Sequence, residues 1–267
     1  DELACNYNEE ADFDDGSCWD TAYNCGDLAV LHQFILNSQN SNYPIPLDLP
    51  PYELGDQTWQ NGRLIEFCRD WGGCGTDHIL SGPIPDNIGN WDAILNLYIG
   101  YNDLTGQIPE SIGNMSSIVN LSLPANNLIG TLPESIGQLD NLENLVIYEN
   151  NLSGSLPDGL CDLTSLKYIG SYNTGFTSLP DCIGNLSNLE HMDFRWNNIS
   201  GELPDDIDGM QSLKYLNMPS NNLTGDIPAS ITNIPYLEMI NLAYNNISGE
   251  LPDNITDLMY LNIFLVN

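Results

Sequence analysis

The sequence predicts an α/β solenoid, a chain wound into stacked coils around one elongated core. Three observations predict it. Prolines recur at Pro85, Pro109, Pro133, Pro157, Pro180, Pro204, Pro228 and Pro252, spaced by 24 residues with a single step of 23. Each follows Leu or Ile, and an apolar residue stands three positions later, from Ile88 and Ile112 to Ile255. An asparagine column, Asn102, Asn126, Asn150, Asn197, Asn221 and Asn245, keeps the same period. A fixed period of this size marks supersecondary units that bury their apolar faces against one another.

Within a unit every position has a physical task. Ile118, Leu121 and Leu123 follow the frame Leu-x-x-Leu-x-Leu-x-x-Asn-x-Leu. Their alternation predicts a short strand with one face inward. The asparagine ends the strand, and its amide can both donate to and accept from the backbone of its own turn and the next. Gly and Pro then turn the chain, and a segment such as Ile112-Gly113-Asn114 supplies a short 3₁₀ or helical return on the outer side. One unit departs. Leu166, Ile169 and Ser171 place Thr174 where Asn is expected, and the Gly before Leu179-Pro180 is missing. A weaker rung is expected at Thr174, because a hydroxyl donates one hydrogen bond where an amide donates two.

The runs Gly82-Pro83-Ile84-Pro85, Gly106-Gln107-Ile108-Pro109 and Gly225-Asp226-Ile227-Pro228, with the Ile-Gly-Asn-Leu stretches, resemble the plant-type leucine-rich repeat of receptor-like kinase ectodomains and polygalacturonase inhibitors. The resemblance covers residues 80–267. It implies a right-handed superhelix with a parallel concave β-sheet, short 3₁₀ or helical convex turns and an N-terminal cap; it does not imply a plant source. The last repeat is incomplete: Leu261, Phe264 and Val266 align with Leu237, Ile240 and Leu242, so residue 267 falls inside a strand. A continuing chain, or self-association or capping by another molecule at that end, is expected.

Residues 25–79 look like the cap of such proteins. Asp27 is expected to cap a helix carrying Leu28, Val30, Leu31, Phe34, Ile35 and Leu36. Asn61-Gly62 is a hairpin signal leading into an irregular first strand around Leu64 and Phe67. Residues 1–24 form an acidic Cys-bounded motif, and residues 1–18 resemble a short repeat of marine bacterial surface proteins. There Asp12, Asp14 and Asp15 before Gly16 read either as an acidic turn closed by a disulfide or as a calcium loop; no cofactor is otherwise required.

Seven cysteines, five within the first 74 residues, point to an oxidising, extracellular or cell-surface location. The expected pairs are Cys68 with Cys74, Cys161 with Cys182, and Cys5 with Cys18. That set leaves Cys25 unpaired, unless it displaces one of them. With no Cys-x-x-Cys pair or nearby histidine set, a metal site is the weaker use of these thiols.

The chain has 37 acidic residues against 5 Lys and Arg, a formal charge of −32. Such a balance excludes nucleic acid as a partner and disfavours anionic membranes. It suits a saline setting, where screening is short-ranged. No apolar run is long enough for a transmembrane segment. No signal peptide precedes Asp1, so processing or truncation is expected at that end. An apolar fraction of 42% and the strict period argue for a folded chain.

Function is expected on the solvent-facing strand positions, which stack into columns. Tyr148, Tyr168, Tyr172, His191, Asp193, Arg195, Trp196, Tyr215 and Tyr244 gather there, and three of the five cations, Lys167, Arg195 and Lys214, fall in successive units. Tyr, Trp and Arg offer large contact area and directed hydrogen bonds, and aromatic faces would suit sugar rings. The expected function is a recognition module for an extracellular protein, peptide or glycan, with an assembling surface or filament component as the alternative. Catalysis is not expected: His191 and Asp193 have no nucleophile with an oxyanion site beside them.

Overall fold

The computed structural model describes residues 23–42, 44–70, 74 and 78–266. A helix, Cys25–Asn37, leads into a hairpin of strands Asp56–Gln60 and Arg63–Cys68, paired antiparallel. Asn61 and Gly62 turn it with φ of 52° and 77°. That is the paired left-handed geometry an Asn-Gly dipeptide favours. Strand Arg63–Cys68 then opens the main sheet, pairing in parallel with Asn96–Tyr98. In register follow Asn120–Ser122, Asn144–Val146, Tyr168–Gly170, His191–Asp193, Tyr215–Asn217, Met239–Asn241 and Ile263–Leu265. The return segments are single 3₁₀ turns such as Glu110–Asn114 and Glu134–Gln138.

The core lies between these layers. The middle residue of each strand, Leu97, Leu121, Leu145, Ile169, Met192, Leu216 and Ile240, is buried, as are the turn residues Ile88, Ile112, Ile136, Leu160, Ile183, Ile207 and Ile231. Each such side chain contributes about 1.5–3 kcal/mol by leaving water. Because every coil supplies the same positions, the contacts align the coils and hold them in register.

The helix closes the first coil. Its N-cap is Asn24, whose side chain accepts from the Asp27 amide at 3.1 Å, and not Asp27 as the sequence suggested. Asp27 is instead buried. It pairs with Arg63 at 2.9 Å, accepts from the Leu64 amide at 2.9 Å, and its carbonyl accepts from the Trp91 indole at 3.0 Å. Phe34, Phe67 and Trp91 pack beneath it with centroids 5.4–6.2 Å apart.

The asparagine column forms a buried ladder. The Asn126 amide donates to the Ile99 carbonyl of the preceding coil at 3.0 Å, while its oxygen accepts from the Leu104 amide at 3.0 Å. Asn150, Asn221 and Asn245 repeat both bonds. Thr174 does not. Its one hydroxyl proton goes to Asn197 Oδ1 at 2.7 Å, with the Ser171 carbonyl at 3.1 Å as the alternative acceptor and no described bond back to the coil of Leu152. Gly175, at φ 124°, completes the shortened loop; a Cβ there would sit 2.6 Å from the Leu152 carbonyl oxygen. The flanking ladder of short strands also breaks here, into groups Ser81–Leu152, Gly154–Ser178 and Ser200–Leu223.

Cys161 and Cys182 are bonded across the turns of this same shortened coil, and Cys68 is bonded to Cys74. Cys25 is also disulfide-bonded, so the reading that leaves it unpaired is replaced by the one in which it pairs. Cys5 and Cys18 lie outside the described residues.

Asn197→Ala removes a rung that serves both coils and leaves buried backbone groups unpaired, a loss of about 2–4 kcal/mol. Thr174→Ala removes one hydroxyl and its γ-methyl and costs about 1–2 kcal/mol. Urea unfolding of the two variants measures the difference; equal losses would show that the ladder runs unbroken through Thr174.

Candidate functional site

The concave sheet carries the residues that the sequence singled out. Register places Tyr168, His191 and Tyr215 side by side, and Gly170, Asp193 and Asn217 two positions on. Two positions further along each coil lie Tyr148, Tyr172 and Arg195, and next to them Glu149, Asn173 and Trp196.

Two aromatic strips result. In the first, His191 stacks on Tyr215 at 4.5 Å and 15°, with Tyr168 tilted on its other side at 5.9 Å. Gly170 makes room for the Tyr168 ring: a Cβ at that position would lie 2.8 Å from it. In the second, Tyr148 and Tyr172 stack at 4.2 Å and 9°, and Trp196 meets Tyr172 edge-on at 6.3 Å. The Arg195 guanidinium lies 4.8 Å from the Tyr172 centroid and 5.3 Å from that of Trp196, a cation–π geometry. Asp193 holds this guanidinium in place at 2.8 Å.

Stacking takes one face each of Tyr148, Tyr172, His191 and Tyr215, and their edges and polar atoms lie beside it. Trp196 keeps an open surface and is 56% exposed. Tyr244 stands in the Trp196 column two coils on, with Ser220 between, and is 78% exposed.

The Trp196 column is notable for its backbone. Tyr101, Ala125, Glu149, Asn173, Trp196, Ser220 and Tyr244 all have φ of 50–59°. For a residue with a Cβ this left-handed conformation costs about 1–2 kcal/mol. Asn relieves part of that cost through local hydrogen bonds; an indole or phenol does not. Backbone comfort does not explain bulky rings at these sites.

Three groups of participants lie outside the candidate residues chosen from the sequence. Tyr101 reaches over the small Pro124-Ala125 coil, its hydroxyl 3.1 Å from that of Tyr148. Asn96, Asn120 and Asn144 form a side-chain ladder at 2.6 and 2.7 Å on the concave face. Glu143, Glu190 and Glu238 alternate with both lysines of the chain along one column: Lys167 pairs with Glu143 at 2.8 Å, Lys214 pairs with Glu190 at 2.6 Å, and Glu238 accepts from the Tyr215 hydroxyl at 2.6 Å. The signal was present in the 24-residue frame, one position before Tyr168 and its equivalents. It appears when columns are read in place of single residues.

Electrostatics follow from these contacts. Burial, then the Tyr101 hydroxyl, pushes the Tyr148 phenol above its ordinary range, and burial does the same to Tyr168 and Tyr172. The hydrogen bond to Glu238 raises Tyr215. Lys214 lowers Glu190, and Asp193 raises Arg195. Burial lowers His191, with Glu190 and Glu238 opposing and Lys214 assisting. At neutral pH the strip is uncharged rings flanked by fixed ion pairs. Asp12, Asp14 and Asp15 lie outside the described residues, and among the described residues no group of three or more His, Cys, Asp or Glu is arranged to hold a metal.

Stacked coils of 23 or 24 residues, a parallel concave sheet and a buried asparagine ladder define a leucine-rich-repeat solenoid. Family models agree: a leucine-rich repeat region matches residues 157–265, and a leucine-rich repeat matches residues 94–115 and 141–163. The chain belongs to the leucine-rich-repeat proteins, with repeats of the plant type. Among solved structures it is similar to a TDR receptor, at 31% identity over 71% of this chain and 33% of that one, with a TM-score of 0.68. It is likewise similar to the ectodomain of the Arabidopsis receptor kinase HAESA, solved with an N-terminally extended IDA peptide hormone: 31% identity, 70% and 31% coverage, TM-score 0.66. The chain spans about a third of the length of these receptor chains. A plant ice-binding protein shares the fold, at 20% identity over 91% of this chain and 95% of that one, with a TM-score of 0.60. A search of curated proteins gives no match.

The His191 midpoint, read by NMR, is expected below the ordinary 6.5. Because the folded value is depressed, the unfolded chain takes up the proton first. Stability is therefore lost as pH falls below 6.5 and through the folded value. Glu190→Gln moves the midpoint further down and Lys214→Met moves it up; a midpoint above 6.5 would mean the imidazole is not desolvated in its stack.

Proposed function

We propose that this chain is an extracellular recognition module that binds a protein or peptide segment along its concave face, at Tyr148, Tyr168, Tyr172, His191, Asp193, Arg195, Trp196 and Tyr215, with Tyr244 at the margin. The observation that carries this reading is Trp196: an exposed indole held in a strained left-handed backbone position, beside an arginine oriented by Asp193. Arg and Trp presented on a preorganised surface are the usual anchors of binding hot spots. Conformational strain kept at such a place is a pointer to use.

The ring stacking favours a polypeptide over a glycan. A sugar ring packs on an open aromatic face, and in the centre of the strip neighbouring rings take faces of Tyr148, Tyr172, His191 and Tyr215. A peptide main chain is served by phenol hydroxyls, the Asn96–Asn144 ladder and ring edges, all of which exchange hydrogen bonds laterally. The HAESA ectodomain, bound to its peptide hormone, is a relative of matching architecture that supports the same class of ligand. Disulfides among the described residues and the likeness to receptor ectodomains support an extracellular setting.

Capture of partners from an extracellular protein fraction with the intact chain, in parallel with a glycan array, identifies the ligand. Trp196→Ala and Arg195→Ala are each expected to weaken the captured partner by about 2 kcal/mol, roughly 30-fold. Unchanged affinity in both variants would remove the concave strip as the binding site.

A further inference from the structure

We propose that the concave strip selects a basic polypeptide segment and rejects acidic or sulfated ones; this rests on the recognition reading above. The reason is the state of its cations. Lys167, Arg195 and Lys214, the cations of the strip, are each within 2.8 Å of a carboxylate: Glu143, Asp193 and Glu190 respectively. An anionic ligand would have to break a formed pair to obtain a counter-charge, and at Arg195 this would leave the largely buried Asp193 carboxylate without its partner. There the exchange costs more than it returns; at the two exposed lysine pairs the glutamates already screen the charge that the ligand would seek. Two carboxylates of the strip have no described ion pair. Glu149 is exposed and its charge acts on Tyr172, and Glu238 accepts from the Tyr215 hydroxyl through one oxygen, with the Lys214 ammonium nearby.

Geometry turns this surplus into a specificity. Glu149 and Glu238 lie at opposite corners of the strip, four coils apart, with Asp193 and Arg195 near the line between them and Trp196 beside it in the Glu149 column. They are roughly 25 Å apart on the diagonal, at about 4.8 Å per coil and about 3.3 Å per strand residue. An extended segment of about eight residues spans that distance. A lysine or arginine near each end would meet a carboxylate with no described ion pair while the middle of the segment passes beside Trp196, whose exposed indole also attracts cations. The net charge of −32 adds a long-range field that draws such a segment in and repels its acidic counterpart.

The test is a random dodecapeptide display library selected on the intact chain in about 50 mM salt, where screening is weak. Selected peptides are expected to be rich in Lys and Arg, to lose roughly tenfold in affinity in about 500 mM salt, and to lose affinity on Trp196→Ala. The double variant Glu149→Gln, Glu238→Gln is expected to weaken them by about tenfold and to flatten the salt dependence. A control pair of exposed carboxylates on the outer turns, Asp205→Asn with Asp253→Asn, leaves them unchanged. Neutral or acidic winners that still require Trp196 would overturn the charge assignment and leave the recognition site standing. Basic winners that the control pair weakens as much as the Glu pair would mean attraction to the whole acidic surface, which also overturns it. Winners indifferent to Trp196→Ala and Arg195→Ala, or no enrichment at all, would overturn both readings.

Discussion

Register between coils is the constraint on which everything else depends. A solenoid has no closed core to fix its geometry, so each coil must be told where to sit by the one before. Aliphatic burial supplies the energy but is tolerant of sliding. The asparagine ladder is not: one amide must donate to a carbonyl and accept from an amide of the preceding coil at the same time, as Asn126 does with Ile99 and Leu104. Only one offset satisfies both bonds. With the offset fixed, residues 23 or 24 apart in sequence become neighbours, and Tyr148 can stack on Tyr172 and His191 on Tyr215.

The shortened coil shows the same logic under stress. Thr in place of Asn removes the backward rung at position 174, and the flanking strands are interrupted at this shortened coil. The Cys161–Cys182 bond lies on the outer turns of that coil, opposite the missing rung. A link closing a loop of 21 residues in sequence contributes about 3 kcal/mol in the chain-entropy description. That is comparable to the hydrogen bonds forgone. The coil is also the one that carries Tyr168 and Tyr172, so the covalent staple steadies the centre of the aromatic strip.

Much of this was legible in the sequence because the period is strict. The strand positions, the buried ladder, the break at Thr174 and the Asn61-Gly62 hairpin all follow from residue type at a known place in the frame. Other features were not legible, for identifiable reasons. Asn24 and Asp27 are both good helix caps three positions apart, and what separates their roles is Arg63, far along the chain, which claims the Asp27 carboxylate. The orientation of the tyrosines depends on side-chain torsions and on neighbours such as Gly170, so a column of rings reads identically whether faces or edges point to solvent. The lysines looked like a cationic patch until their glutamate neighbours, one coil away, were seen to neutralise them.

The concave face therefore combines two economies that pull in opposite directions. Ion pairs and stacked rings lock the strip into one conformation before any ligand arrives, which lowers the ordering cost of binding. Trp196 and Tyr244, in contrast, occupy left-handed positions where a smaller residue would relieve strain and where their rings remain largely in water. A sequence shaped only by stability would place Asn there, as it does at Asn173. Rigid pairs tolerate bulky, strained rings beside them because the ladder beneath over-determines the backbone, and it is this surplus of order in the scaffold that makes an exposed indole affordable at the centre of the face.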